Sequence, residues 1–211
     1  MSVRRLDMSK YARKAHFDYF RTLSYPYVGT TVNVDVTGLL DYCHREKRSF
    51  YLAFMHAAAL AADRVPELRQ RILDDGIVEY EHCPTSHTEL LDDSTYCYCT
   101  LHHDMPLEQY FEEAEKERIA CRNNGIVEDD EHFSTYYMSS VPWLNYTALI
   151  QPVAAGDESN PRITWGKYEK NSEGKALMPV TILAHHALAD GIHLARFYQY
   201  LDEEMESLNK Q

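Results

Sequence analysis

The stretch of residues 177–193 constrains the fold more than any other part of this 211-residue chain. Residues 177–183 form a nearly unbroken apolar run without a charge, and such a run is typical of a strand buried on both faces. The run stops at His185 and His186, and Asp190 follows just before an amphipathic helical pattern. The sequence therefore predicts a buried strand that presents two histidines at its end, where α/β folds usually carry reactive side chains.

Histidines at such a strand end suit acid–base chemistry. A neutral imidazole with a pKa of about 6.5 takes up a proton near physiological pH. To act as a base the ring must be held in one tautomer, and a turn fixed by Asp190 and Gly191 can hold it. A histidine pair alone more often packs than reacts, but here Asp190 and Gly191 follow His186 at a fixed distance. The whole pattern favours a functional interpretation over a packing one.

The same stretch resembles a known family. The sequence HHALADG at residues 185–191 matches the HHxxxDG motif of CoA-dependent acyltransferases, and residues 192–197 look like the chloramphenicol acetyltransferase version of its continuation. Further matches fall in the same order and at similar spacing: residues 11–17, Phe50, Tyr51, residues 67–69, Ser139, Pro142, Trp143, Thr164, Lys167 and Tyr168. The chain resembles the chloramphenicol acetyltransferase family over almost its whole length.

The resemblance implies a fold, an assembly and a reaction. The expected fold is α/β, a two-layer α+β sandwich built on a large mixed sheet, with residues 1–211 as a single domain. The interspersed helical and strand patterns agree with that architecture. The family also implies a homotrimer with active sites at subunit interfaces. The implied reaction moves an acetyl group from acetyl-CoA to a hydroxyl of chloramphenicol or a similar small acceptor, with no metal.

The catalytic roles carry over residue by residue. His186 matches the family's general base, whose chemistry contributes about 10²–10⁴-fold to the rate, whereas His185 is expected to be structural. Asp190 matches an aspartate that pairs with an arginine of the N-terminal helix, here Arg13, and the pair is expected to be buried. Ser139 matches the serine that donates to the oxyanion. Thr164 matches a threonine that supports the intermediate through water.

The resemblance also implies binding residues for both substrates. Lys167, Tyr168 and Tyr51 match positions near the CoA nucleotide. The family lysine before the Phe-Tyr pair is absent, because Ser49 stands there; Lys47 and Arg48 remain alternatives for the phosphate contact. The acceptor pocket of the family uses an aromatic-rich segment after the first helix, supplied by the neighbouring subunit. That segment here contributes Tyr19, Phe20, Ser24 and Pro26.

Composition excludes several other classes of function. The net charge of −12 argues against nucleic-acid binding, which needs a basic surface. No stretch has the length and apolarity of a membrane span, and the N-terminus lacks the apolar region of a signal peptide. The five cysteines are an odd number at unremarkable spacing, which favours free thiols and a cytoplasmic location.

The periodicity also predicts the elements in chain order. Helices are expected over residues 10–21 (capped by Asp7 or Ser9), 37–46 (capped by Thr37), 50–64 (begun by Ser49 and ended by Pro66), 107–123 (ended by Asn124 and Gly125) and 192–208. Strands are expected over residues 3–6, 27–36, 71–73, 77–80, 85–90, 95–101, 133–139, 144–151 and 163–168, and a loop over 156–161.

Three alternatives remain open from the residues alone. Asp190 also permits a triad interpretation, with the carboxylate orienting the base. A dihydrolipoamide acyltransferase core shares the HHxxxDG motif but is usually joined to Ala/Pro-rich linkers, which this chain lacks. The third alternative is a non-catalytic binding protein that retains the fold. Cys97, Cys99 and the pair His102-His103 suggest a metal, but no second ligand pair has zinc-like spacing.

Overall fold

A computed structural model describes residues 2–124, 132–153 and 158–209. Its strands are β1 (Val3–Arg5), β2 (Tyr27–Asp35), β3 (Gln70–Leu73), β4 (Gly76–Tyr80), β5 (Thr85–Leu90), β6 (Tyr96–Leu101), β7 (Tyr136–Val141), β8 (Arg162–Gly166), β9 (Glu169–Lys170) and β10 (Ala176–His185). Its helices are α1 (Lys14–Phe20), α2 (Thr37–Glu46), α3 (Phe50–Asp63), α4 (Leu107–Asn124) and α5 (Gly191–Asn209).

The large sheet is mixed, as the sequence predicts. Its strands lie in the order β2-β10-β8-β7-β5-β6, and β9 pairs with the start of β10. Strand β10 runs antiparallel to β2 and β8, whereas β7 runs parallel to both β8 and β5. The predicted buried strand is therefore confirmed: β10 lies between two neighbours, and eight of its ten residues are buried.

Helices α2 to α5 form the second layer on one face of this sheet. Alternate residues of β10, such as Val180 and Ile182, join the main core together with the middle of α3, whose small alanines allow close packing. Helices α2, α4 and α5 contribute to the same core. Thr181, which alternates with these residues, therefore points to the opposite face of the sheet.

A small antiparallel sheet positions the N-terminal segment beside the end of β10. Strands β1, β4 and β3 form this sheet in that order. A second apolar cluster joins Phe17 of α1, Ile72 and Ile77 to Ala187 and Leu188, which follow β10 directly. Helix α1 is thereby packed against the turn that carries the histidine motif.

One predicted helix begins later than expected, and one predicted strand is wrong. Helix α1 begins at Lys14 rather than residue 10, because the Asp7 carboxylate accepts from the Ser9 N–H (3.0 Å) and closes a separate turn. Residues 144–151 form no strand. The sequence predicted a strand there, but Ile150 is 94% exposed and the segment crosses the outer face of the sheet.

Smaller differences concern the caps and the ends of elements. Ser49 accepts from the Leu52 N–H (3.4 Å) and caps α3 as predicted. Thr37 is instead the first residue of α2, and its hydroxyl donates to Asp35 (2.6 Å). Strand β7 begins only at Tyr136, after a short 3-10 helix His132–Ser134. The predicted cap at Gly125 and the first residues of the predicted loop 156–161 lie outside the described residues.

Candidate active site

Backbone hydrogen bonds hold the turn between β10 and α5. They go to the last residue of β10 and to the segment that precedes β2. The N–H groups of Leu188 and Ala189 both donate to the carbonyl of His185 (3.0 Å each). The N–H of His186 donates to the carbonyl of Pro26 (2.7 Å), just before β2 begins. The HHxxxDG sequence therefore forms one compact turn at the end of a buried strand.

The His186 imidazole is held in a single tautomer. Its Nδ1 lies 2.9 Å from the carbonyl oxygen of Ala189. Because a carbonyl oxygen only accepts, Nδ1 carries the proton and Nε2 keeps its lone pair. The ring stacks on Phe20 with centroids 3.8 Å apart, and the side chain is half-buried. An imidazole with its proton fixed on Nδ1 and a free Nε2 has the properties that a general base requires.

His185, in contrast, is a packing residue. Its side chain is 1% exposed, its Nδ1 accepts from the Ala187 N–H (3.2 Å) and its ring packs edge-on against Tyr27 with centroids 5.3 Å apart. These contacts agree with the structural role that the sequence predicts for it.

Arg13 links the two ends of the turn. Its Nη1 lies 3.6 Å from the Asp190 carboxylate, and its Nη2 donates to the His186 carbonyl (3.3 Å). The Gly191 N–H bond to the carboxylate (2.7 Å) is the largest cause of a lowered pKa of Asp190, and the charge of Arg13 lowers it further. The carboxylate therefore faces Arg13 and the helix start, and no described bond joins it to the His186 ring. The contacts support the loop-holding role rather than a triad.

The expectation of a buried Arg–Asp pair is only partly met. The side chain of Arg13 is 18% exposed in this chain, but that of Asp190 is 47% exposed. Water screens a pair of this kind, so the large cost of breaking a buried pair does not apply to it.

The acceptor segment contacts His186 of its own chain. Phe20 stacks on the imidazole, and Tyr19 packs edge-on against Phe20 with centroids 5.2 Å apart. Pro26 is buried and supplies the carbonyl that holds His186, whereas Ser24 and Tyr19 are exposed. Within one chain, the segment therefore contacts His186 directly; its supply by a neighbouring subunit stays a prediction.

Ser139 and Thr164 lie side by side in the middle of the sheet. Ser139 of β7 is the register partner of Thr164 of β8, which in turn faces Thr181 of β10. Thr181 shares a hydrogen bond with Thr31 of β2 (2.8 Å). Four hydroxyl side chains thus form a row across the outer face of the sheet.

Residues of the 142–153 segment hold this row in place. The Tyr146 hydroxyl donates to the Thr164 carbonyl (2.9 Å), and the Gln151 amide donates to the Thr164 hydroxyl. Since Thr164 Oγ1 accepts that bond, its own proton is available to a further acceptor. Sequence reasoning missed Gln151 and Thr181; a lone hydroxyl inside the apolar run of β10 was the available signal for Thr181.

His186 and Ser139 are not brought together within one chain. The register places Ser139 two strands away from Thr181, and His185 lies four residues further along β10. At about 3.3 Å per residue and about 4.8 Å per strand, the backbones of His185 and Ser139 are roughly 16 Å apart, and His186 lies one residue beyond His185. The base and the predicted oxyanion donor therefore occupy separate regions of the chain.

The residues predicted for CoA lie towards the Ser139 end of the molecule. Lys167 and Tyr168 follow β8, whose last residues face the start of β10, so they lie at the end of the sheet remote from His186. Both are exposed. Tyr168 packs edge-on against Phe50 with centroids 6.1 Å apart. Tyr51 packs against Trp165 with centroids 5.5 Å apart.

Of the two alternative residues for the CoA phosphate contact, Arg48 already pairs with another side chain, whereas Lys47 is exposed. Arg48 pairs with Glu108 and lies over the Phe111 ring at 5.2 Å. Lys47 ends α2 in a left-handed conformation with φ of 52°. Its exposed ammonium makes Lys47 the better candidate of the two.

Of the second histidine pair, His103 is part of the core, whereas His102 is exposed. His103 is 2% exposed, and its Nε2 bonds the Asp63 carboxylate (2.8 Å), which also accepts from Tyr136 (2.8 Å) and contacts His82 (3.0 Å). Burial raises the pKa of Asp63, but these bonds outweigh burial and hold the pKa below its ordinary value. Within the described residues, no group of His, Cys, Asp and Glu side chains is arranged to hold a metal ion.

Two comparisons with known protein sequences point to the same family. The family model for chloramphenicol acetyltransferase matches residues 1–202. A chloramphenicol acetyltransferase from Klebsiella sp. is 30% identical over 208 residues, which is 94% of this chain and 93% of that protein.

The solved structures agree at the level of the fold. A chloramphenicol acetyltransferase structure superimposes with a TM-score of 0.85 at 23% identity, over 97% of this chain and all of that one. A probable dihydrolipoamide acetyltransferase from Listeria monocytogenes superimposes with a TM-score of 0.70 at 16% identity, over 98% of this chain and 94% of that one. The two structures share the fold with this chain. In the described residues, no helix combines the length and apolarity needed to cross a bilayer.

Proposed function

The chain belongs to the chloramphenicol acetyltransferase family, and from this premise we propose that it moves an acetyl group from acetyl-CoA to a hydroxyl of chloramphenicol or a similar small acceptor. The observation that carries the proposal is the fixed tautomer of His186, whose Nδ1 bonds the Ala189 carbonyl and leaves Nε2 free. The acceptor segment lies against the same ring through Phe20. The proposed base and one proposed wall of the acceptor pocket are thus adjacent.

The proposed reaction is a direct transfer. Nε2 of His186 takes the proton of the acceptor hydroxyl, and the oxygen attacks the thioester carbonyl of acetyl-CoA. The O–H of Ser139 donates to the oxyanion of the tetrahedral intermediate, a contact worth about 3–4 kcal/mol. The C–S bond then breaks, and the leaving sulfur takes the proton back from the imidazolium. Thr164 supports the intermediate from the position beside Ser139.

Acetyl-CoA is an anionic co-substrate on a chain of net charge −12, so local basic groups must hold it. We propose that Lys167 and Tyr168 bind the nucleotide end, with Tyr51 behind them. The exposure of Lys167 and Tyr168 supports this role. The exposed ammonium of Lys47 is the proposed contact for a phosphate group.

The acceptor pocket uses Tyr19, Phe20, Ser24 and Pro26. Phe20 stands where many members have tyrosine, and it lacks the hydroxyl that would bond a drug molecule, a bond worth about 0.5–1.5 kcal/mol. We therefore propose that chloramphenicol is accepted weakly or that another small hydroxyl compound is the better acceptor.

We also propose that residues 1–211 form one catalytic domain and that three chains assemble with active sites between them. The roughly 16 Å separation of Ser139 from His185, the residue before His186, supports the assembly. Exposed apolar side chains beside the hydroxyl row, Trp143 (67% exposed) and Ile150 (94%), offer a surface that a partner can cover.

The test is release of free thiol from acetyl-CoA, with chloramphenicol, with a panel of small alcohols and without an acceptor. We expect acceptor-dependent release, and mass spectrometry is expected to show one added acetyl group on the acceptor. Absence of thiol release with every hydroxyl acceptor, in a folded preparation that binds CoA, would refute the enzymatic proposal and favour a binding protein.

A further inference from the structure

The start of α5 contains an unusual form of helix cap. Asp190 immediately precedes the helix, and His193 is its third residue. The N–H of Asp190 donates to Nδ1 of His193 (2.8 Å), and the Asp190 side chain accepts from the Gly191 N–H (2.7 Å). In a capping box, a Glu or Gln at the third helical position accepts the N–H of the capping residue. His193 takes the place of that Glu or Gln here.

This cap fixes the tautomer of His193. Because Nδ1 accepts the Asp190 N–H, its lone pair must be free and the ring proton must lie on Nε2. Nε2 lies 3.5 Å from Oε1 of Glu67, on the short 3-10 helix Pro66–Leu68. A carboxylate beside Nε2 favours the proton at that nitrogen. The side chains of His193 and Glu67 are 8% and 20% exposed, so water screens this contact only weakly.

The His193 cap and the His186 base share one peptide group. The carbonyl of Ala189 accepts the Nδ1 proton of His186 (2.9 Å), and the N–H on the other side of that peptide bond is the Asp190 N–H that His193 accepts. A peptide group is planar and rigid, so its orientation is set at both ends. Hydrogen bonds in such a chain polarise one another.

We propose that Glu67 and His193 are positioning residues for the base: they orient the peptide between Ala189 and Asp190, and thereby hold His186 with its proton on Nδ1. The chain runs from the Glu67 carboxylate through His193 and the peptide to His186. It stabilises the imidazolium that forms when His186 takes the acceptor proton. The inference rests on the proposed role of His186 as base.

The cap is sensitive to pH, because protonated His193 has no lone pair to accept the Asp190 N–H. Burial is the largest cause of a lowered pKa of His193; Arg13 and Arg196 lower it further, whereas Glu67 and Asp190 raise it. His193 is therefore neutral at pH 7, and the cap is intact there. It is lost as the pH falls through the pKa of His193 in the folded protein.

Three variants and a control test the proposal. His193→Ala removes the acceptor, His193→Gln keeps an acceptor that does not titrate, and Glu67→Gln removes the charge that selects the tautomer. His44→Ala, on the exposed side of α2, is the matched control. Misplacing a catalytic group by about 1 Å can cost about 10²-fold in rate. We expect His193→Ala to lower kcat by about 10- to 100-fold with little change in KM for acetyl-CoA. His193→Gln is expected to keep most of the wild-type kcat.

The decisive readout is independent of activity. Imidazole ¹⁵N NMR at pH 7 is expected to show His186 protonated on Nδ1 and His193 on Nε2, with both tautomers mixed at His186 in His193→Ala. The Asp190 amide is expected to lose exchange protection at acid pH in the wild type but to keep it in His193→Gln. If His193→Ala does not fold, Glu67→Gln and the wild-type spectra carry the test.

The proposal is overturned if His193 carries its proton on Nδ1, or if the folded variants leave the His186 tautomer and kcat unchanged. These outcomes differ from a failure of the proposed function. A fully active His186→Ala enzyme would remove His186 as the base, whatever tautomer the spectra show for His193.

Discussion

At the scale of single residues, the proposed chemistry depends on one nitrogen atom. Nε2 of His186 is left free because Nδ1 bonds the Ala189 carbonyl. We expect His186→Ala to lower thiol release from acetyl-CoA by at least about 10³-fold, since it removes both general-base catalysis and positioning. A thermal melt that matches the wild type would show that the variant is folded. Near-normal turnover in such a variant would exclude His186 as the base.

Arg13 is expected to act on both stability and activity. It bridges the Asp190 carboxylate and the His186 carbonyl, so Arg13→Ala removes two polar contacts from the turn. Since Asp190 is 47% exposed, we expect a loss of about 1–2 kcal/mol in the free energy of unfolding. Urea denaturation measures it, with Lys14→Ala as an exposed control. An unchanged unfolding midpoint would contradict the bridging role.

The motif predicted His186, Asp190 and Arg13 because these residues lie in short recognisable segments. It could not predict the contacts that depend on folding. Gln151 reaches Thr164 from a segment without regular structure, and Glu67 meets His193 from a distant turn. The sequence contains both pairs, but only the packing of α5 and the register of the sheet bring their atoms together.

At the scale of elements, strong hydrophobic periodicity was sufficient to predict a helix or strand, whereas weak periodicity was not. Strand β10 and helix α5 follow from long apolar patterns and were predicted within a residue at most boundaries. Residues 144–151 include strand-forming residues such as Tyr146, Thr147 and Ile150, yet the segment lies outside the sheet because β7 and β8 already pair with each other. Local propensity carries no information on which neighbours are already paired.

Helix α4 is attached to the sheet by a buried carboxylate. Glu89 of β5 is 4% exposed and contacts Arg118 (2.5 Å), Arg122 (2.5 Å) and His87 (3.1 Å). Burial raises the pKa of Glu89, but the bonds from His87 and the two arginines outweigh burial and lower it far below its ordinary value. The carboxylate is therefore charged in the folded protein at all ordinary pH values.

We expect Glu89→Gln to destabilise the protein by about 3 kcal/mol at pH 7, because it leaves cations near a neutral side chain in a largely buried site. Glu115→Gln is the matched control: Glu115 contacts the same Arg118 (3.1 Å) but is 54% exposed, so its loss should cost less than about 1 kcal/mol. Equal effects of the two substitutions on urea denaturation would contradict the special role of Glu89.

The lowered pKa of Glu89 also predicts how its contribution to stability depends on pH. A carboxyl whose pKa is lowered by folding stabilises the protein fully above its unfolded pKa, about 4.3 for Glu. That contribution is lost as the pH falls towards the folded pKa. The difference in stability between the wild type and Glu89→Gln should therefore stay constant from pH 8 to 5 and shrink below pH 4. A difference that changes most between pH 8 and 6 would contradict this assignment.

At the scale of the whole molecule, the proposed site is divided between two regions of the chain. One region holds His186 and Phe20 at the end of β10, and the other holds Ser139 with Lys167 near the opposite end of that strand. The family resemblance predicted the fold and the assembly together. The sequence alone could not show that a single chain leaves the base and the oxyanion donor apart, because that depends on strand register.

We expect a homotrimer in solution. Apolar side chains that one chain leaves exposed, Trp143, Leu144 and Ile150, lie on the segment that crosses the outer face of the sheet, and burying them against a partner is favourable. Light scattering should give about three times the chain mass of 24.5 kDa. A mass equal to one chain would contradict the assembly and the division of the site.

Mixing two impaired variants tests this division most directly. His186→Ala lacks the base, and Ser139→Ala lacks the oxyanion donor, which should lower kcat by about 10–10³-fold. Co-refolded in equal amounts, and with mixed oligomers verified by mass spectrometry, they should form complete sites wherever an intact His186 meets an intact Ser139 of the next chain. About one site in four is then complete in a cyclic assembly, so we expect about a quarter of wild-type thiol release. Activity no higher than the mean of the two separate variants would show that each site lies within one chain, and would contradict the account.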